Sequence, residues 1–349
     1  MKSGTRAATA PPHGRRDKAV AYDAATYETV AVELVRALRG RRSCAEVSRR
    51  MGYRSNSVHR WELRHSWPTA ARFLQAHRRL RPNSPSWVEQ FFHMLPAWAR
   101  GRDATSPRVV ALFLQNLRGR TPVLRVAELM QRNRSSVSRW LSGAAQPNLP
   151  EFLQLSDVLS RRLTDLVATL EDPARLPSLQ RRWEQLQLAR RAGYELPWSH
   201  AVLRALELKG APQGLGAQRA WIGRHLGIGS DQVQAALAVL QSADQVVKTA
   251  RGYRLREVTA IDTGRDPGRA RGLKAAWIQT ALDRLQAGAA GRFGYSVFAV
   301  SRADLAQLHD LHLQYVRAMQ TVIARSEPSE CVGLYCSQLL DLGERSAGP

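Results

Sequence analysis

One long-range repeat restricts the fold of this chain more than any other feature of its sequence. The stretch "RSNSVHRWE" at residues 54–62 returns as "NRSSVSRWL" at residues 133–141, an offset of 79 residues. Further identities occur at the same offset, and they include "LRGR" at 38–41 and 117–120, Val47 with Val126, Met51 with Met130, Pro68 with Pro147, and Phe73-Leu74 with Phe152-Leu153. Agreement at one fixed offset indicates two copies of a small domain.

The first copy predicts a short helix, a tight turn and a second helix. Val47 and Met51 lie four residues apart and therefore share one helical face, and Ser43 precedes them as an N-cap. Gly52 can adopt the left-handed conformation that ends such a helix. The stretch 54–62 then forms another helix, so each copy is predicted to be a helix-turn-helix unit.

Small and aromatic side chains predict how the two helices of each unit pack. Ser48 in the first copy and Ala127 in the second allow the close approach that a helix-turn-helix crossing requires. Trp61 and Trp140 each lie three residues after a valine, which is helical spacing. We therefore expect both tryptophans to belong to the core instead of stacking on nucleic-acid bases.

The stretch "SCAEVSRRMGYRSNSVHRWELRHSWP" at residues 43–68 resembles the Xre/Cro-type repressor family. The second copy at 121–147 follows the same pattern but departs from it at Gln131, where Gly is usual, and at Leu141, where Glu is usual. The resemblance covers roughly residues 26–170. It implies double-stranded DNA as the partner, with the second helix of each unit in the major groove.

That resemblance nominates specific side chains for DNA contacts. In that family the first residues of each second helix, and one residue a turn later, reach base edges. The equivalent residues here are Ser55, Asn56 and Arg60 in the first copy and Arg134, Ser135 and Arg139 in the second. Flanking residues are expected to contact phosphates, and they are Arg54, Arg64, His65, Arg132 and Ser138.

The charge distribution favours the same partner. The chain has a formal net charge of +23, and residues 1–150 hold 27 lysines and arginines against 9 acidic residues. Such a basic field attracts a polyanion such as nucleic acid. Most of the basic residues are arginines, which is also typical of a GC-rich coding sequence, but that alternative does not explain why they concentrate in the N-terminal part.

Composition and periodicity divide the rest of the chain into further segments and predict a mainly α fold. The predicted segments are a disordered basic tail at 1–25, two helix-turn-helix domains at 26–102 and 103–172, a partly helical linker at 173–198, a winged-helix domain at 199–258 and a small α/β C-terminal domain at 270–343.

The winged-helix prediction comes from three amphipathic stretches followed by a hairpin pattern. Ser230 is expected to cap the third helix, and Arg251-Gly252 is expected to form the turn of the hairpin. The third helix carries no Lys or Arg, so it offers little to anchor DNA phosphates. Lys248, Arg251 and Arg254 on the wing are the residues that can still contact a DNA backbone.

The C-terminal domain is predicted from alternating helix and strand patterns, which place helices at 273–287 and 302–325 and strands at 292–301 and 331–342. This order resembles an uncharacterised bacterial family in which such a region follows a winged helix and which is regarded as regulating transcription. For a DNA-binding regulator, we expect this C-terminal half to dimerise or to receive a signal.

No pattern in the sequence predicts an enzyme, a metal site or a cofactor. The stretch "GLGAQR" at 214–219 lacks the third glycine and the preceding strand of a dinucleotide loop. Cys44, Cys331 and Cys336 are too few for a disulfide framework, which favours a reducing cytoplasm. The N-terminal stretch lacks the apolar centre of a signal peptide, and no apolar run is long enough to cross a membrane.

These observations favour a sequence-specific DNA-binding transcription regulator in the bacterial cytoplasm, associated with the nucleoid. Its C-terminal half is expected either to form a homodimer or to sense a signal or partner. Two other classes of function remain open. One is a DNA-transaction protein of the recombinase or transposase type, and the other is a protein-docking module with degenerate helix-turn-helix units.

Overall fold

A computed structural model describes residues 24–256 and 261–343. Within these residues the chain is mainly helical, with sixteen α-helices and a single two-stranded sheet. The predicted mainly α fold is therefore confirmed. The predicted disordered tail at 1–25 lies outside the described residues, except for Ala24 and Ala25, which already belong to the first helix.

Both helix-turn-helix units contain five helices. The helices of the first unit are α1 (Ala24–Arg39), α2 (Cys44–Arg50), α3 (Ser57–Glu62), α4 (Ala70–Leu80) and α5 (Trp87–Phe92). A short 3-10 turn at Ala97–Ala99 leads to the second unit. Its helices are α6 (Pro107–Arg118), α7 (Val123–Met130), α8 (Arg134–Ser142), α9 (Leu149–Ser160) and α10 (Leu163–Val167). Shifted by 79 residues, every helix of the first unit overlaps its counterpart, so the repeat extends through all five.

The two units share one hydrophobic core, which runs from Tyr27 in α1 to Leu179 beyond the second unit. At its centre the rings of Trp87 and Phe91 from α5 meet Phe113 from α6 edge-on, with ring centroids 4.7 and 5.2 Å apart. Edge-to-face pairs add to the stability that burial gives. The pair of units is thus one packed block.

The long helix α11 (Pro177–Glu195) occupies most of the segment predicted as a partly helical linker. Pro177 stands at its first position, where a proline favours the start of a helix instead of breaking it. Ser178 donates to the Glu33 carboxylate of α1 through its hydroxyl, at 2.6 Å, and Leu179 is fully buried in the core of the two units. The segment therefore joins the N-terminal block to the rest of the chain as a packed helix.

Three helices and a hairpin follow, as predicted for a winged helix. They are α12 (Trp198–Ala205), α13 (Leu215–Leu226), α14 (Ser230–Ser242), β1 (Val246–Thr249) and β2 (Gly252–Leu255). Two details of the prediction were wrong. Gly229 occupies the N-cap position of α14, so Ser230 is its first helical residue. Thr249 pairs with Gly252, so the two-residue turn is Ala250-Arg251 and the glycine belongs to the strand.

The C-terminal region contains α15 (Pro267–Gln286) and α16 (Arg302–Arg325), close to the predicted helices. The two predicted strands at 292–301 and 331–342 were wrong, because neither stretch is a strand in the described part of the chain. A strand obtains its backbone hydrogen bonds from a neighbouring strand, and neither stretch has one there. Their apolar side chains stay exposed, for example Tyr295 at 95% and Leu342 at 81%.

None of the helices in the described residues combines the length and apolar character that crossing a bilayer requires.

Candidate nucleic-acid interface

Side-chain and backbone hydrogen bonds fix the turn of the first unit. The Ser43 hydroxyl accepts from the Glu46 amide at 3.1 Å and caps α2, as predicted. The buried Ser48 hydroxyl accepts from the amide of Val58 at 3.0 Å and so ties α2 to α3. Gly52 has a φ of 83°, which is the left-handed conformation predicted for it. The small residue at 48 thus both permits the close crossing and bonds across it.

The second unit has the same turn although a glutamine replaces the glycine. Gln131 adopts a φ of 53° and lies in the left-handed region. The amide of Arg132 donates to the carbonyl of Ala127 at 3.0 Å, and the equivalent amide of Tyr53 donates to the carbonyl of Ser48 at 2.9 Å. The departure of the second copy from the family pattern at Gln131 therefore leaves the backbone of the turn unchanged.

The inward faces of the two second helices are apolar and buried. Val58 and Trp61 of α3 are 1% and 5% exposed, and Val137 and Trp140 of α8 are 0% and 7% exposed. The prediction that both tryptophans are core residues is confirmed. Because these side chains point inward, the polar residues between them are left on the outer face of each helix.

Every residue predicted to contact bases is exposed to solvent, and the set is Ser55, Asn56, Arg60, Arg134, Ser135 and Arg139. Ser55 and Asn56 lie just before α3, with Asn56 at its N-cap position, whereas the equivalent residues of the second unit are the first two of α8. Neither Arg60 nor Arg139 forms an ion pair among the described residues, so both guanidinium groups are available to a ligand.

The residues predicted to contact phosphates fall into two groups. Arg54, His65 and Ser138 are exposed, and their side chains have no hydrogen-bond partner among the described residues. Arg64 instead donates to the Thr29 hydroxyl of α1 at 2.9 Å. Arg132 lies 3.8 Å from the Glu151 carboxylate of α9. These last two arginines would have to share or leave an intramolecular partner to contact DNA.

Asn133 is a further polar residue of this surface that the sequence reasoning missed. It occupies the N-cap position of α8, is exposed, and makes no capping hydrogen bond with its side chain. Asparagine immediately before a helix is a common N-cap, and this signal was available in the sequence. Its side-chain amide lies next to Arg134 at the start of the helix.

The two units anchor their second helices differently. In the first unit the Glu62 carboxylate of α3 accepts from Arg39 of α1 at 2.6 Å. This hydrogen bond raises the pKa of Arg39 above its usual value, against the opposing effect of its burial. In the second unit the equivalent residues are Leu141, which is 3% exposed, and Arg118, whose Nε is buried without a hydrogen-bond partner among the described residues.

A carboxylate from the C-terminal half of the chain contacts both units. Asp262 accepts from His93 of the first unit at 2.7 Å and pairs with Arg162 of the second. Burial raises the pKa of Asp262, but the hydrogen bond from His93 and the charge of Arg162 outweigh it and bring the pKa to about 2. Arg190 of α11 donates to the Asp262 carbonyl at 2.8 Å and pairs with Asp165, which is as deeply buried.

The predicted wing residues lie on the hairpin as expected. Lys248 is on β1, Arg254 is on β2 and Arg251 is in the turn between them, and all three are exposed. On α13, Arg219 donates to Gln234 of α14 at 3.3 Å. Helix α14 carries no lysine or arginine, so the basic side chains of this region lie on its other elements.

Among the described residues, no group of three or more His, Cys, Asp or Glu side chains is arranged to hold a metal ion. Residues 178–339 match a family described as a domain of unknown function, DUF4423. The match begins within α11 and ends beyond α16, so it covers most of the long helix, the three helices and hairpin that follow it, and the C-terminal helices. No curated protein and no solved structure matches the chain.

Proposed function

We propose that the chain is a sequence-specific transcription regulator that binds double-stranded DNA through its two helix-turn-helix units. The observation that carries this proposal is the common construction of the two units. Each buries the Val and Trp of its second helix. Each also presents an arginine, one turn from the start of that helix, that forms no ion pair with the residues the structure describes. A helix with this arrangement fits the major groove, where arginine recognises guanine through two hydrogen bonds.

The resemblance to Xre/Cro-type repressors supports the same assignment. It places Ser55, Asn56 and Arg60 of one unit at base edges, and their counterparts are Arg134, Ser135 and Arg139. Arg54, His65 and Ser138 then contact phosphates directly, because no other described group engages their side chains. Asn133 joins this set as a donor or acceptor at the start of α8.

The C-terminal half supplies the regulatory part of the proposal. It includes the DUF4423 match and carries exposed apolar side chains on α15 and α16, among them Leu285 and Ile323. Such side chains favour dimerisation or contact with a signalling partner. The wing can add backbone contacts through Lys248, Arg251 and Arg254. A regulator of this kind acts on the nucleoid in the bacterial cytoplasm.

The first test is binding to duplex DNA from upstream of the protein's own coding sequence, measured by fluorescence anisotropy. Arg60→Ala and Arg139→Ala should each weaken specific binding by about 1 to 3 kcal/mol and leave non-specific binding in place. Arg175→Ala removes the same charge from a side chain that is 75% exposed and outside the two turns, and it serves as the matched control. Equal losses for all three variants would mean that only overall charge matters.

A salt series on the same duplex tests the phosphate contacts. Specific affinity should fall steeply with rising salt, because each phosphate contact releases a counterion. Arg54→Ala should reduce this slope by about one and weaken all duplexes alike. An affinity that does not change with salt would contradict the proposed DNA-binding function.

A further inference from the structure

The short segment after α3, residues 68–70, pairs with the equivalent segment after α8, residues 147–149. The amide of Ala70 donates to the carbonyl of Pro147 at 3.0 Å, and the amide of Leu149 donates to the carbonyl of Pro68 at 2.9 Å. Thr69 and Asn148, which lie between them, form an isolated antiparallel bridge. Each residue in one segment is 79 positions from its counterpart in the other. Exchanging the two units therefore converts one hydrogen bond into the other.

This reciprocal pattern defines a local twofold axis between Thr69 and Asn148. An antiparallel bridge between equivalent residues has such an axis at its centre. The helix contacts follow the same rule. Helix α4 contacts its counterpart α9, helix α5 contacts its counterpart α10, and α1 packs on α9 while α6 packs on α4. The two units are therefore related as the subunits of an isologous dimer, although they belong to one chain.

The axis also relates the two DNA-facing helices. Helix α3 ends at Glu62, six residues before Pro68, and the equivalent Leu141 lies six residues before Pro147. The two helices thus lie on either side of the axis and in opposite orientations. A tandem repeat in sequence could equally have given two units in the same orientation, and the paired segments exclude that arrangement.

We infer that a single chain recognises an inverted repeat, with one half-site for each unit. This inference rests on the proposed function. Duplex DNA has twofold axes perpendicular to its length, so a protein with a twofold axis matches two half-sites that run in opposite directions. A direct repeat would present the second half-site to α8 with its base pairs in the reverse order.

The two half-sites are related but not identical. Arg60 and Arg139 are equivalent, so each half-site contains the base pair that arginine reads. Ser55 is replaced by Arg134, and Asn56 by Ser135, so the neighbouring base pairs differ between the half-sites. The preferred operator is therefore an imperfect inverted repeat, and it binds one chain because that chain already supplies both halves of the pseudo-dimer.

The test uses the full-length chain and a site selected from a random DNA pool. Synthetic duplexes then carry the two half-sites in inverted or direct order with centres about 10 base pairs apart, one helical turn. We expect the inverted duplex to bind at least about tenfold more tightly, since reversing a half-site removes its base contacts. With the duplex in excess, sedimentation of the complex should give one bound duplex per chain. A preference for the direct order, or one duplex for every two chains, would overturn the inference and leave the proposed function standing.

The DNA strand that carries each contacted guanine provides an independent readout. Each guanine of the selected site is replaced in turn by 7-deazaguanine, which lacks the N7 acceptor that arginine uses. Arg60→Ala should become insensitive to one of these replacements, and Arg139→Ala should become insensitive to another on the opposite strand. Two sensitive guanines on the same strand would contradict the inverted arrangement. If no duplex binds specifically, the proposed function fails and the inference fails with it.

Discussion

In the first helix-turn-helix unit a capped helix and a glycine form the turn, whereas in the second a proline and a glutamine stand at the same positions. Ser43 caps α2 with its hydroxyl, while its counterpart Pro122 precedes α7 without a capping side chain. Gly52 has its counterpart in Gln131, and both are left-handed. The second unit therefore adopts the same backbone conformation although its residues at these two positions favour that conformation less.

The anchoring of the second helices extends this comparison. The Glu62 carboxylate forms ion pairs with two arginines of α1, Arg39 at 2.6 Å and Arg36 at 3.6 Å. Leu141 replaces this carboxylate with apolar burial and leaves the Nε of Arg118 without a hydrogen bond among the described residues. The second unit therefore has the equivalent arginine but not the carboxylate that pairs with it in the first unit.

The largest expected effect comes from truncating the two core tryptophans. Trp61→Ala and Trp140→Ala should each lower the free energy of unfolding by about 3 to 5 kcal/mol. Trp61 also makes an edge-to-face contact with Tyr53 at 5.5 Å, where the second unit has Arg132, so its loss should cost about 1 kcal/mol more. Guanidinium unfolding followed by circular dichroism measures both, and a larger loss at Trp140 would reverse the predicted order.

Exchanging the anchoring residues should have smaller and unequal effects. Glu62→Leu removes the carboxylate that accepts from the partly buried Arg39 Nε and should lower the free energy of unfolding by about 2 kcal/mol. Leu141→Glu loses apolar burial worth about 1.5 to 3 kcal/mol, which pairing of the new carboxylate with Arg118 offsets only in part, so the free energy of unfolding should fall by about 1 kcal/mol.

The double variant Leu141→Glu with Arg118→Met is the matched control for this exchange. It keeps the new carboxylate and removes its partner, so it should be clearly less stable than Leu141→Glu alone. Equal stabilities, measured by the same guanidinium unfolding, would show that Arg118 does not pair with a carboxylate at position 141.

Acid titration tests the contact that both units make with the C-terminal half. The pKa of Asp262 is about 2 in the folded chain, below its usual value near 3.8. A depressed carboxyl pKa stabilises the fold above the unfolded value, and this stabilisation, about 2 kcal/mol, is lost as pH falls from about 4 through 2. The difference in unfolding free energy between the wild type and Asp262→Asn should therefore shrink over that range. A constant difference would contradict the assignment.

The sequence predicted those parts of the two units that depend on local residue pattern. Ser43 as a cap, Gly52 as a left-handed residue and the buried tryptophans all follow from spacing over a few positions, and the structure confirms them. The DNA contacts of Arg60 and Arg139 stay predictions, although both side chains are exposed.

Long-range partners could not be predicted in the same way. The pairing of Thr69 with Asn148 depends on how two distant segments meet, and nothing in either segment alone specifies its partner. The apolar stretch around Tyr295 has the alternation of a strand, but a strand also requires a neighbour, and the pattern contains no information on whether one is present. Asp262 lies about 100 residues from Arg162, which likewise no local pattern connects.

The smallest predicted effect tests the turns themselves. Gln131→Gly should raise the free energy of unfolding by about 1 kcal/mol, because glycine adopts a left-handed conformation without the steric cost of a Cβ. Gly52→Gln should lower the free energy of unfolding by a similar amount. Since a Cβ at Gly52 would meet nothing within 4 Å, this loss comes from the backbone alone.

Gly216 is the matched control, as it lies in α13 without a positive φ and its Cβ would also meet open space. Gly216→Ala should therefore stabilise the chain. If urea unfolding shows Gly52→Gln to be neutral, the turn of the first unit does not need its glycine, and the two units differ less than their sequences do.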